Sequence, residues 1–463
     1  MVFPTVQFAI FFPIVLALSW ALMRRHKVWK PAMIAASYVF YSAASPAFCL
    51  LLAGITLGNQ AAAKLIGHSE DARARKRIVV VAVALNLATL GVFKYYGFFA
   101  TEVNAVLDSV GLGLPLPLAA IALPVGISFI TFQAISYTVD VYRREIEPST
   151  TVDVALYLSF FPGLVAGPIV RAREFMPQLE KPRDPRKVAV GAGVALIIIG
   201  LVKKVAIADT LAREIVDPVF GVPQAYSAPD VWLAAYAYAV QIFCDFSGYT
   251  DIAIGVALLL GFVFPQNFDR PYRAASFGEF WRRWHMTLSR FLRDFLYIPL
   301  GGNRGGRWRT VRNLMITMLL GGLWHGAAWG FVLWGAIHGI ALVVEHQFRG
   351  RVKLPRWFAW LLVFHIVVLA WIPFRAPDLE LAGAFVAQLV QPGPATLWTV
   401  PVVLATFIVI ASQLMPAKPL DALRVRFERL HPAALGASMA CVIMLVAATV
   451  SSQGVPPFIY FQF

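Results

Sequence analysis

The sequence predicts an all-α polytopic membrane protein, and three observations carry that prediction. Of 463 residues, 59% are hydrophobic and only 14% are charged, and the mean hydropathy is +0.69, outside the range of soluble domains. Apolar runs of membrane-spanning length recur from end to end. The basic residues sit in the short stretches between those runs, as the positive-inside rule expects. That placement accounts for the net charge of +15 without nucleic acid as a partner. Cys49, Cys244 and Cys441 lie in apolar stretches with no metal-ligand or disulfide spacing. No metal site is expected.

Predicted apolar segments run over 4–22, 33–54, 78–99, 119–139, 153–170, 188–208, 230–264, 311–326, 327–346, 356–374, 397–415 and 433–452. The first lacks a basic leader and a small-residue cleavage site, so it reads as a retained helix. Arg24, Arg25, Lys27 and Lys30 mark one cytoplasmic loop, and Arg73, Arg75, Lys76 and Arg77 mark the next. Two consecutive basic loops imply that 33–54 does not cross, and Pro46 in Ala44-Ser45-Pro46 suggests a broken, re-entrant segment. Segment 153–170 has the same character, with Pro162, Gly163, Gly167 and Pro168 inside it and arginines on both sides. Loop 101–118 carries Glu102, Asp108 and no basic residue, and reads as external. With the two broken segments set aside, about ten crossings alternate, both termini lie outside, and loops near 209–229 and 375–396 are external. The whole chain reads as one transmembrane domain, 1–463, with an Arg-rich cytoplasmic or interfacial segment at 270–312. No internal repeat is visible, which argues against repeat-built transporter folds.

Candidate chemistry concentrates between Arg270 and Gly339. Ten arginines and no lysine lie between Arg270 and Arg312, and guanidinium is the group that forks onto phosphate. His325 lies inside an apolar run, where an ionisable side chain is costly. Gly322, Gly326 and Gly330 form one smooth helix face beside it, with Trp324 adjacent and Trp329 one turn below. Trp334 and His338 repeat the pattern beside Gly335 and Gly339. A neutral imidazole at that depth can take a proton from a hydroxyl and release it; the alternative is a histidine that only bonds a neighbouring helix. His285 lies in a predicted interfacial helix over Phe277–Leu296, with aromatics at helical spacing and arginines between. It could face His325, or snorkel to headgroups. Asp245 and Asp251 are intramembrane carboxylates that need partners, and Lys203 and Lys204 are available. Gly-x-Ser-x-Gly, a phosphate-binding Gly-rich loop with Lys, His-x4-Asp and His-Glu-x-x-His are all absent from the sequence.

These motifs resemble those of the bacterial membrane-bound O-acyltransferases. The resemblance rests on Pro124 to Phe129 with Thr131-Phe132-Gln133, Phe161 to Ile169 followed by Arg171, Gly200 to Lys204 with Asp209, and Asp245 to Tyr249. It continues through Asn267-Phe268 with Pro271-Tyr272, Phe280 to Ser289, Leu300 to Arg304, Leu323 to Gly326 and Phe458 to Phe461. It spans nearly the whole chain in order. Ile130, Ala328 and Gly330 depart from the pattern without touching a proton-transfer group. The resemblance implies a cupped helical bundle around a central tunnel, with His325 as the catalytic histidine and His285 facing the same tunnel. Trp324, Trp329, Asp245 and His338 are the tunnel-lining candidates.

The implied activity moves an acetyl group from a cytoplasmic donor, acetyl-CoA, across a bacterial inner membrane. There it O-acetylates an exported polysaccharide such as alginate. Arg171, Arg282, Arg304, Arg307 and Arg309 would hold the donor phosphates. No tightly bound cofactor is expected. The chain lacks a large external domain to grip a polymer, so a periplasmic esterase-like acetyltransferase of the SGNH type is the expected partner, with Phe458 to Phe463 as a docking element. Membrane lipid is the other expected partner. A transporter or flippase for an acylated or anionic carrier is the alternative reading.

Overall fold

A computed structural model of the protein describes residues 1, 3, 5–113, 115–118, 121–348, 350–416, 425–427 and 429–449. The proposed docking element at Phe458 to Phe463 lies outside the described residues. All regular structure among the described residues is helical. The chain divides into two compact units, one of residues 1–193 and 253–265, the other of residues 194–252 and 266–463.

The first unit contains α1 (Val6–Leu22), α2 (His26–Ser42), α3 (Pro46–His68), α4 (Ala72–Leu90), α5 (Tyr96–Ser109), α6 (Ile127–Tyr142) and α7 (Thr151–Ser159). Its core is aromatic. Phe175 stacks on Phe262 with ring centres 4.9 Å apart, and Trp29 lies 5.7 Å from Phe262. The Arg183 guanidinium rests over both Trp29 and Phe262, at 4.1 and 3.9 Å, a geometry in which ring faces stabilise the cation. In the same loop, Arg186 and Arg24 hold the Asp184 carboxyl below the usual carboxylate range.

Segment 33–54 is broken at the predicted Ala44-Ser45-Pro46, but the expectation that it does not cross is not supported: it is divided between α2 and α3, and α3 is itself long and apolar enough to cross. Pro46 opens α3, which runs to His68, well beyond the predicted end. The polar residues within and beside α3 are satisfied internally. Asn59 and Asn86 exchange side-chain hydrogen bonds of 3.2 and 2.9 Å, and Gln60 donates to the Ser149 carbonyl and accepts from Tyr137. Segment 153–170 also breaks as expected. It forms α7, a single turn at Phe161–Leu164 and irregular chain, all buried after Asp153 and Ala155. A Cβ on Gly126, whose φ is +74°, would lie 2.3 Å from the Leu164 carbonyl oxygen, so only glycine permits that approach.

The second unit contains α8 (Val190–Leu201, from Val194 onward), α9 (Ala228–Leu259, up to Ile252), α10 (Phe277–Arg283), α11 (Met286–Leu292) and α12 (Arg307–His325). α13 (Trp329–Phe348), α14 (Arg356–Arg375), α15 (Leu379–Gln388), α16 (Val400–Leu414) and α17 (Pro432–Thr449) complete it. α8 and α9 meet backbone to backbone, since a Cβ on Gly200 would lie 2.5 Å from the Gly248 carbonyl oxygen. The sequence-predicted external loops at 209–229 and 375–396 are largely helical. Helical turns continue from α8 to Gly221, and α15 occupies the middle of the second.

Among the described residues, six helical stretches are long and apolar enough to cross a membrane: Pro46–His68, Ala72–Ser109, Val190–Gly221, Ala228–Leu259, Trp329–Phe348 and Arg356–Arg375. Four further apolar helices, α1, α15, α16 and Ala433–Val442, are of 10–17 residues. The protein is a multi-pass membrane protein.

Candidate active site

α12 and α13 form the tightest helix pair of the second unit because glycines face backbone. A Cβ on Gly322 would lie 2.2 Å from the Phe331 carbonyl oxygen, and one on Gly335 would lie 2.4 Å from the Met318 carbonyl oxygen. Gly330 makes the same kind of contact with Pro373 of α14, at 2.3 Å. Small residues therefore bring three backbones together, as their spacing suggested. The continuous Gly322–Gly326–Gly330 helix face does not exist, however. α12 ends at His325, and Gly326 is extended with φ −161° and ψ 154°. Trp329 belongs to the next helix and is 51% exposed, not one turn below His325.

This break places His325 at the carbonyl end of a 19-residue helix, 3% exposed. Trp324, Trp334 and Phe374 surround its ring edge to face, at centre distances of 5.1, 5.1 and 5.3 Å. Trp334 also stacks against Trp371 at 5.6 Å. Phe374 and Trp371, near the end of α14, gave no signal in the sequence beyond an apolar span.

The predicted helix over Phe277–Leu296 is two helices with an elbow between them. Trp284 is extended and His285 is left-handed, with φ 42° and ψ 53°. A non-glycine residue there is strained by ~1–2 kcal/mol. Neighbouring hydrogen bonds hold the strain in place. Met286 N–H donates to the Asn267 carbonyl at 2.9 Å, and Thr287 Oγ1 donates to Asn267 Oδ1 at 3.0 Å. Asp269 N–H donates to the Arg283 carbonyl at 3.0 Å, while Arg283 Nη1 pairs with Asp269 Oδ2 at 2.6 Å. The start of α10 is fixed by Glu345 of α13, whose carboxylate accepts from the amides of Phe277 and Gly278.

The elbow turns the His285 ring inward, fully buried. It meets Phe246 of α9 at 4.6 Å, Trp324 at 5.9 Å and His325 at 6.4 Å between ring centres. At that separation the two imidazoles cannot hydrogen-bond directly, since even facing nitrogens stay ~4 Å apart. One small group between them would touch both. His338 is also fully buried, among Phe280 at 5.8 Å, Trp281 at 5.2 Å and Trp334 at 4.8 Å. It is separated from His325 by the Trp334 indole, which contacts both.

Asp245 precedes Phe246 and is buried in an ion triad. Lys204 Nζ lies 2.8 Å from Asp245 and 2.7 Å from Asp209. Lys203 pairs with Asp251 at 2.7 Å. The sequence identified both lysines as partners for the two carboxylates; Asp209 was the addition.

The arginines separate into two sets. Arg270, Arg283 and Arg293 pair with carboxylates. Arg282, Arg304, Arg307 and Arg309 are exposed and have no carboxylate partner among the described residues. Gly305 and Gly306, at φ +91° and +97°, turn the chain into α12, and Asn313 donates to the Gly302 carbonyl at 2.9 Å to fix the loop. Arg307 opens α12 and His325 closes it, so the two are ~27 Å apart along the helix axis. Arg282, by contrast, is three residues before His285. Arg171 lies in the first unit, 3% exposed, with its amide donating to Glu174 Oε2 at 3.2 Å. No cluster of metal-ligating side chains occurs among the described residues.

The model of the MBOAT, or membrane-bound O-acyltransferase, family matches residues 34–372. The chain is 42% identical over 380 residues to the probable alginate O-acetylase AlgI of Pseudomonas aeruginosa, covering 81% of this chain and 71% of the relative. It is 37% identical to the protein of the same name from Azotobacter vinelandii, covering 98% of each. It is 38% identical to the peptidoglycan O-acetyltransferase of Helicobacter pylori, covering 77% of this chain and 72% of that one. The chain belongs to the membrane-bound O-acyltransferase family and is an acyltransferase of the membrane.

Proposed function

We propose that this protein moves an acetyl group from cytoplasmic acetyl-CoA for the O-acetylation of an exported polysaccharide, alginate being the first candidate. Its relatives named as alginate O-acetylases, one of them matched over nearly its full length, support that substrate class. The observation that carries the chemistry is the pair of buried imidazoles, His285 and His325, 6.4 Å apart between ring centres.

Their surroundings separate their roles. His325 sits at the carbonyl end of α12, where a helix stabilises positive charge by ~0.3–1 kcal/mol or more when buried. It is suited to take the proton of the accepting hydroxyl as that oxygen attacks the thioester carbonyl. The carbon–sulfur bond then breaks, and the proton passes to the departing thiolate. His285 is fully buried, which favours the neutral ring, and would donate a hydrogen bond to the carbonyl oxygen as charge develops there. Trp324, Trp334 and Phe374 keep water from the reacting centre.

Donor phosphates would be held by the arginines without carboxylate partners. Arg282, close to His285, needs the shortest reach. The Arg304–Arg309 cluster, ~27 Å from His325 along α12, is farther than the pantetheine arm of acetyl-CoA alone spans, so it would meet the phosphates only with the added reach of its own long side chains. The reading places the Arg-rich loop in the cytoplasm, the termini in the periplasm and the protein in a bacterial inner membrane. A periplasmic SGNH-type acetyltransferase would deliver the acyl group to polymer.

The test is acyl transfer by purified protein with labelled acetyl-CoA, alone and with that partner. His325→Gln should lose ~10²–10⁴-fold of turnover. His285→Gln, which keeps a donor, should lose less than His285→Ala. Full turnover by His325→Gln would sink the assignment, as would full-rate polysaccharide acetylation by the chain alone for the partner.

A further inference from the structure

The first unit carries a groove that the acyl-transfer reading does not use. It lies between α3 and α4, has a volume of about 680 Å³ and is lined from Leu50 to Leu65 on one side and from Arg77 to Thr89 on the other. Its walls are almost wholly apolar. The polar residues at its floor are occupied with each other, Asn59 with Asn86, and Thr138 Oγ1 donates to Asn59 Oδ1 at 2.8 Å. The groove is open, not shallowly packed: a Cβ built on Gly54 or Gly58 meets no atom within 4 Å.

One end is charged. Arg77 lines the groove, is exposed, and has no carboxylate partner among the described residues. Arg73 lies one turn before it on the same face of α4, also exposed. An apolar trough ending in guanidinium matches an amphiphile with an apolar tail and an anionic head.

Dimensions decide between a lipid tail and a transmembrane helix. Leu50 to Leu65 spans ~22 Å of helix axis, more than the ~15 Å of hydrocarbon in one leaflet. Spread over that length, the volume corresponds to a mean section of ~30 Å², well under half that of a helix ~10 Å across. A single acyl chain fits; a helix would ride over the groove and leave it open.

We infer that this groove binds one acyl chain of an anionic phospholipid, with its phosphate on Arg77. The site is independent of the histidine pair, so its failure and that of the acyl-transfer reading are separately visible.

The experiment is native mass spectrometry of the whole protein released from mixed micelles holding equal phosphatidylglycerol and phosphatidylcholine, with the thermal midpoint measured alongside. Wild type should retain one phosphatidylglycerol in preference to phosphatidylcholine and melt higher with it. Arg77→Gln should reduce that preference about fivefold while still holding a lipid. Gly58→Leu, which fills open space, should lose the retained lipid and the lipid-dependent rise in midpoint; Gly54→Leu replaces it if it does not accumulate. Equal retention of the two lipids by wild type, or unchanged retention in both glycine variants, overturns the proposal. So does a protein partner or second copy that is lost from the glycine variants while lipid retention stays the same.

Discussion

Replacing Gly335 with alanine tests whether backbone contact between α12 and α13 sets the geometry of the histidine pair. The added Cβ would lie 2.4 Å from the Met318 carbonyl oxygen and 3.2 Å from the Leu319 Cα. Ordinary contact begins at 3.4 Å, so the helices must separate by ~1 Å, and neither neighbour is a side chain that can swing away. Overpacking of this kind costs ~1–3 kcal/mol, offset by the ~1 kcal/mol that alanine gains over glycine in a helix. The net expectation is a loss of ~1–2 kcal/mol or less. Activity should fall further than stability, because the adjacent Trp334 packs on His325 at 5.1 Å. A shift of ~1 Å at a catalytic group costs up to ~10²-fold. Gly383→Ala is the control: its Cβ meets nothing within 4 Å, so it should gain ~0.5–1 kcal/mol with unchanged turnover. Acyl-transfer rate and thermal midpoint, both measured in lipid nanodiscs, read the two effects. If Gly335→Ala matches wild type in both, the close helix contact does not position the site.

Three further outcomes are expected. Lys204→Met should destabilise the protein by ~3–5 kcal/mol, because Asp209 and Asp245 are left buried without their cation; a midpoint equal to wild type would show that the carboxylates find another partner. Arg304→Ala with Arg309→Ala should raise the donor KM about tenfold, ~1.4 kcal/mol, and the paired lysine substitutions should raise it less, since a fork loses more than a point charge when truncated. An unchanged KM in both would remove that loop from the donor site. Cysteines introduced at Asn303 and at Ser109 should label from opposite sides of the membrane, with Asn303 reacting from the cytoplasm; labelling from the same side would overturn the proposed topology.

The sequence signals that proved legible were those with a single local cause. Pro46 at the start of α3 cannot continue a preceding helix, and the close contacts at Gly322 and Gly330 follow from the absence of a side chain. The partners of Asp245 and Asp251 were legible because two lysines in an apolar run have few other ways to be neutralised. The elbow at His285 had no such cause. No glycine, proline or asparagine marks it, and the aromatic spacing of Trp281, Trp284, Leu288 and Phe291 favours one helix. The break is imposed from outside, by Asn267 and Asp269 capturing the amides and the guanidinium around it. The same holds for His325. At Gly326, where α12 ends, a Cβ would lie 2.0 Å from the Phe331 ring, a close approach made only once α13 has folded back. Both histidines therefore owe their orientation to helix ends that tertiary packing creates. A continuous helix would set His325 along its flank and deny it the carbonyl end of the dipole. The two breaks together place one ring at a helix C-terminus and the other at a helix N-terminus, 6.4 Å apart between ring centres.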